Sequence, residues 1–227
     1  MHYLNPIRIS LVLSLVVLLF AAGQAGAAEK EDAEKIVVDA LSTFNDFVAD
    51  PEMAWFRDHV VDAKAIMIVP TVVKAGFILG GSGGTGLAIA RNNQSNTWSN
   101  PAFYTIGSVT FGLQIGGEAA QVVMMAMTEK GRDALLSNKI QLGADISIAA
   151  GPVGEGAQAA TTDILQFSRT KGVFGGLTLD GSVIGIRDSL NHAYYGKAVS
   201  PVDILIKRDV ANPQAAPLIE AVTKATK

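Results

Sequence analysis

The chain has 227 residues, 49% of them hydrophobic, and a formal net charge of −3, enough to bury one sizeable core but too short for two full domains. It contains no cysteine, which removes disulfides, thiolate metal sites and cysteine nucleophiles. Its mild acidity and lack of clustered Lys and Arg argue against nucleic acid as a partner, because such clusters are what hold a phosphate backbone.

Ile9 to Ala22 is an apolar run behind a segment whose one positive side chain is Arg8, and Ala25-Gly26-Ala27 then supplies the small residues a signal peptidase accepts. Gly26-Ala27-Ala28 is the next register. The run is short for a membrane span. The expectation is therefore a cleaved leader over residues 1–28, with cleavage at Ala27 or Ala28, and one periplasmic or secreted domain over 29–227. Loss of Arg8 takes the formal charge from −3 to −4.

The remaining chain opens on a helix. Ile36, Val37, Ala40, Leu41, Phe44, Phe47 and Val48 form an apolar stripe opposite Glu31, Asp32, Lys35, Asp39, Asn45 and Asp46. Asp50-Pro51 ends it and caps a short second turn. From Ala63 the texture changes to short strands: Ala65–Val69 closed by Pro70, then Phe77–Leu79 and Leu87–Arg91, with five glycines between the last two and a sixth at Gly76. Tyr104–Gly112, Leu113–Gly117 and Val122–Met127 follow as strands, and Thr128 caps a helix over 129–137. Leu142–Ala150 and Thr162–Arg169 resume the strands, with a turn at Gly151-Pro152-Val153-Gly154. Asp180-Gly181 predicts a tight hairpin between Val173–Leu179 and Ser182–Arg187. Ser200-Pro201-Val202-Asp203 reads as a capped turn and Asn212-Pro213 as the start of a terminal helix. Strands this closely spaced leave no room for helical crossovers. The fold class is α+β, a mainly antiparallel curved β-sandwich or partial barrel capped by N- and C-terminal helices.

Gly81-Ser82-Gly83-Gly84-Thr85-Gly86 satisfies G-x-G-x-x-G, yet no helix begins there to aim its amides at a pyrophosphate, and no acid follows until Glu118. Gly80-Gly81-Ser82-Gly83-Gly84 also has the form of a nucleophile elbow around Ser82, with Asp163 or Asp188 and His192 as later partners, but the following helix is again missing. His59 and His192 lack metal-binding spacing. No catalytic residue, metal or cofactor is expected. The glycines read instead as backbone bending and close strand approach.

Several separated motifs resemble the SYLF domain: Ala63-Lys64-Ala65-Ile66, Lys74-Ala75-Gly76-Phe77, Gly83-Gly84-Thr85-Gly86, Trp98-Ser99-Asn100-Pro101, Gly112-Leu113-Gln114-Ile115-Gly116, Lys171-Gly172-Val173-Phe174-Gly175-Gly176 and Tyr194-Tyr195-Gly196. The resemblance runs from about Ala33 to Ile206. It implies lipid binding, and in fungal relatives actin binding. An exported bacterial protein does not meet actin, so actin is set aside, and the partners expected are an anionic lipid or membrane surface, or an envelope protein. The acidic Glu29, Glu31, Asp32, Glu34 and Asp39, and Glu155 where relatives often carry arginine, depart from the family pattern and weaken attraction to highly charged headgroups.

The candidate lipid-binding residues are Lys74, Arg91, Lys171 and Arg187, cations flanking glycine-rich strands that can satisfy a phosphate, with Trp98 and Phe174 as interfacial contacts. The functional expectation is a non-catalytic lipid- or membrane-binding module of the bacterial envelope. A structural or protein-interaction module is the alternative, and a hydrolase using Ser82 the remote one.

Overall fold

The computed structural model describes residues 6–76, 79–111, 116–151, 162–170, 173–174 and 179–227. Among the described residues nine strands make one sheet, and most of the helical residues pack on one of its faces. The strands are β1 (Ala65–Gly76), β2 (Leu79–Ala90), β3 (Ala102–Phe111), β4 (Gly116–Ala126), β5 (Lys139–Gln141), β6 (Ile148–Ala150), β7 (Ile164–Thr170), β8 (Val173–Phe174) and β9 (Val183–Ile186). The helices are α1 (Pro6–Ala49), α2 (Ala54–His59), α3 (Glu129–Ala134), α4 (Asp188–Tyr195) and α5 (Ala216–Ala225). The sheet order is β5-β9-β3-β2-β1-β4-β7-β6, with β8 beside β7, and every pairing but β6 with β7 is antiparallel. The result is an α+β curled half-barrel. Of the two architectures left open by the sequence it is the partial barrel, since the strands form a single sheet.

Two cores follow from the two faces. On β1, Ala65, Met67, Val69 and Val72 face the concave core with Tyr104, Met124, Leu135, Ile164 and Ile184. Ile66 and Ile68 face the other way, into a layer with Phe44 and Phe47 of α1, Phe56 of α2, Leu190 of α4 and Leu218 of α5. The α1 stripe read from the sequence is thus the cover of a sheet face. Asp50 caps the next turn by accepting from the Glu52 amide at 2.9 Å, and Thr128 caps α3 by accepting from the Gly131 amide at 3.0 Å. α3 ends at Ala134, short of residue 137.

Three local expectations need correction. Pro70 does not close β1. The strand continues to Gly76 through a bulge between Ile68 and Thr71, where a residue without an amide hydrogen costs no ladder bond. The glycine run is not the bend between two strands: it lies inside β2, which is continuous from Leu79 to Ala90. Gly84 and Gly86 are there because the bulge brings β1 close. A Cβ at Gly86 would stand 2.3 Å from the Ile68 carbonyl oxygen, and one at Gly84 2.5 Å from that of Thr71. Finally, Asp180-Gly181 does turn the chain, with Gly181 at φ 79°, while residues 175–178 of the expected first arm lie outside the described residues. Among the described residues its flanks pair elsewhere, β8 with β7 and β9 with β3 and β5.

Candidate functional site

Among the described residues the middle four strands outrun the rest of the sheet: β9 meets β3 from Tyr104 to Gly107, and β7 meets β4 from Ala120 onward. Beyond those points β3-β2-β1-β4 continue as a four-stranded ribbon. Cross-strand partners share a face, so register sorts its side chains into rows. The last row on the concave side that reaches the core is Ile106, Gly84, Val72 and Ala120, buried except at half-buried Gly84. The next is Ser108, Ser82, Lys74 and Glu118, and the outermost is Thr110, Gly80, Gly76 and Gly116.

That middle row is a line of polar groups held between an apolar floor and a row that is glycine on three of its four strands. Ser82 and Ser108 share a hydroxyl hydrogen bond of 2.8 Å. One hydroxyl of such a pair donates to the other, and the second keeps its hydrogen for a ligand. Lys74 stands opposite both Ser82 and Glu118 and is half-buried. Among the described residues neither Lys74 nor Glu118 has an ion-pair partner. The reverse of the ribbon is uncharged: Thr71, Val73, Ala75, Gly81, Gly83, Thr85, Gly107, Val109 and Ala119, with Val73 51% and Val109 75% exposed.

In a second polar cluster most charged groups are already paired. An open cleft of about 620 Å³ is lined by Lys130, Asp133, Ser137, Lys139 and Asp145. There Lys130 pairs with Asp163, Asp133 with Arg132, and Asp145 accepts from the Gln141 amide. Asp163 is a joint between elements: the hydroxyls of Ser147 (2.7 Å) and Thr128 (2.7 Å) donate to it. Those bonds, Ser147 first, hold its carboxyl down to about 2. Burial pushes the phenols of Tyr104 and Tyr195 well above their ordinary range, where they donate to the carbonyls of Leu135 and Pro101. Among the described residues no group of acids and histidines is arranged to hold a metal ion, and no helix is long and apolar enough to cross a membrane.

The six residues singled out from the sequence do not gather in one place. Lys74 lies on the ribbon. Arg91 follows the opposite end of β2, nine residues beyond Ser82 and roughly 30 Å away at about 3.3 Å per residue, where its guanidinium donates to the Val61 carbonyl. Trp98 is 5% exposed and plugs the core beneath α5, its Nε1 donating to Thr226 Oγ1 at 3.1 Å. Arg187 precedes α4, its amide donating to the Phe103 carbonyl. Phe174 belongs to β8 opposite Arg169, and Lys171 lies outside the described residues. Ser82 sits mid-strand against Ser108, with strand and not helix after it, and His192 lies on α4, on the helical side of the sheet. Sequence reasoning missed Ser108 and Glu118, which join Lys74 only through register, and Val73 and Val109 on the reverse.

A family model described as "Ysc84: Las17-binding protein actin regulator" matches residues 107–225. The chain is 34% identical over 165 residues to SH3 domain-containing protein PJ696.02 of Schizosaccharomyces pombe, covering 69% of this chain and 38% of that one. It is 33% identical over 183 residues to Protein YSC84 of Saccharomyces cerevisiae, covering 74% and 39%. It is 30% identical over 206 residues to LAS seventeen-binding protein 3 of Saccharomyces cerevisiae, covering 86% and 43%. The chain thus spans about two fifths of these relatives' lengths. The expectation that set actin aside is overturned by these matches: the family description is that of an actin regulator, and a relative is named for binding Las17.

Proposed function

The chain belongs to the Ysc84 family of SYLF domains, a family of binding and regulatory modules, and we propose that within it this protein is a non-catalytic module holding a phosphate-bearing lipid headgroup at the ribbon end of its sheet. The proposal places it in the bacterial envelope after removal of residues 1–28. The observation that carries the headgroup reading is the row on the concave side: a half-buried lysine without an ion pair, beside a hydroxyl pair with one hydrogen to give. A phosphate takes charge-assisted bonds from such donors. Val73 and Val109 at the same end add apolar area suited to a membrane surface.

The relatives favour a second reading, a protein partner of the actin-regulatory kind. One experiment separates the two. The protein as it accumulates in cells is floated with vesicles of phosphatidylcholine, alone or with added phosphatidylglycerol, cardiolipin or phosphatidylethanolamine, and sedimented in parallel with actin filaments. The headgroup reading expects association with at least one phospholipid mixture, falling roughly tenfold or more in Lys74→Glu, because each lysine near a charged surface contributes about 1 kcal/mol and the variant reverses it. Association that ignores Lys74→Glu overturns the headgroup site at this row, and sedimentation with filaments and not with vesicles replaces it with the second reading.

A further inference from the structure

Lys74 does not stand alone. Its register partner on β2 is Ser82 and its register partner on β4 is Glu118, so one row presents a hydroxyl pair, a cation and a carboxylate in that order across four strands. A site built for a simple anion would not place a carboxylate beside its lysine, since the repulsion offsets much of the attraction. Nor do the two groups close into an ion pair with each other, for among the described residues neither has an ion-pair partner. Three of the four positions in the row beyond them, Gly80, Gly76 and Gly116, have no side chain to extend over the polar line.

We infer that this row recognises a phosphate ester carrying a primary ammonium two carbons away, the phosphoethanolamine group. The phosphate takes the N–H donors of Lys74 and the free hydroxyl of the Ser82–Ser108 pair. The ammonium donates to Glu118 on the far side. Neighbouring strands hold their Cβ atoms roughly 5 Å apart, which is about the reach of a two-carbon linker between ammonium and phosphorus. The inference deepens the headgroup reading and rests on it for the lipid source, while the same chemistry exists in soluble phosphoethanolamine.

The test uses vesicles of phosphatidylcholine alone and with equal added amounts of phosphatidylethanolamine or phosphatidylglycerol, with free phosphoethanolamine, phosphocholine and glycerol phosphate as competitors. The wild type should favour the phosphatidylethanolamine vesicles over either other kind by roughly two- to fivefold, the worth of one exposed ion pair. Phosphocholine, whose ammonium has no N–H, should compete less well than phosphoethanolamine. Glu118→Gln should abolish the preference while leaving phosphatidylglycerol association unchanged or stronger, and Lys74→Gln should weaken all three. Binding of free phosphoethanolamine with no vesicle association assigns the site a soluble ligand: the recognition stands and the lipid reading falls. A preference for phosphatidylglycerol, or one for phosphatidylethanolamine that survives Glu118→Gln, overturns the inference and leaves the headgroup reading in place. No binding to any vesicle or free ester overturns both.

Discussion

Substituting Gly86 and Gly83 separates two kinds of glycine within one strand. At Gly86 an alanine Cβ would lie 2.3 Å from the Ile68 carbonyl oxygen and 2.9 Å from both the Cα and Cγ2 of Val69. Two of those three atoms are backbone, and the carbonyl belongs to the bulged strand, so no rotamer change relieves the clash. β1 and β2 would have to part by about 1 Å where they pair at the centre of the sheet. Overpacking of this kind costs about 1–3 kcal/mol, and the lower entropy of unfolded alanine returns about 0.4–1. With each kcal/mol worth about 2–4 °C in a domain of this size, the net cost of up to about 2.6 kcal/mol should lower the thermal midpoint of Gly86→Ala by up to roughly 10 °C. At Gly83 the nearest atom to a Cβ is the Ile106 carbonyl oxygen at 3.7 Å, an ordinary contact. There alanine should be neutral or raise the midpoint by a few degrees, since strand glycine costs about 0.5–1 kcal/mol relative to alanine. Circular dichroism melts of the two variants beside wild type read the difference. Equal midpoints for Gly83→Ala and Gly86→Ala would refute the bulge as the reason for the glycine.

Further tests follow from the same structure. Asp163 has its carboxyl held at about 2 against an ordinary 3.8. The stability it adds is therefore full above pH about 4 and is lost as pH falls toward 2; in urea titrations the gap between wild type and Asp163→Asn should be constant near neutrality and close across that acid range. A gap independent of pH would deny the carboxylate its role as the joint of α3, β6 and β7. Trp98→Phe keeps an aromatic ring but loses the bond to Thr226, whose hydroxyl still donates to the Val222 carbonyl at 2.9 Å. Stability should fall by about 0.5–1.5 kcal/mol with vesicle association unchanged, and a binding loss without a stability loss would return Trp98 to the interface.

What could be read from the sequence was whatever local chemistry decides. Asp50, Thr128 and Asn212 act as caps where their spacing says they should, because a cap is a bond between near neighbours. The α1 stripe was legible for the same reason. Pro70 and the glycine run were misread because their meaning is tertiary: Pro70 is tolerated by a bulge, and the bulge is what forces glycine on β2. The Asp180-Gly181 turn formed, but among the described residues its flanking segments pair with β3 and β7. The candidate site suffered most. Arg91 and Trp98 share short sequence motifs with ordinary surface residues, and only the structure shows one turned onto a carbonyl and the other under α5.

The glycine-rich stretch therefore answers to two different demands, and confusing them is what makes it resemble a cofactor loop. Gly84 and Gly86 are fixed by contact: β1 stands too near for any side chain. Gly76, Gly80 and Gly116 occupy the outer row, where register leaves the polar line open past the buried core. The first demand is about stability and the second about access, so they should respond to different measurements. A side chain added at Gly86 should appear in the melt. A bulky one at Gly80, whose row lies immediately beyond Ser82 and Lys74, should leave the core untouched and obstruct whatever approaches the lysine. A Gly80→Leu variant that melts like wild type but loses vesicle association would tie the open row to binding; unchanged association would mean that the ligand reaches Lys74 from another side.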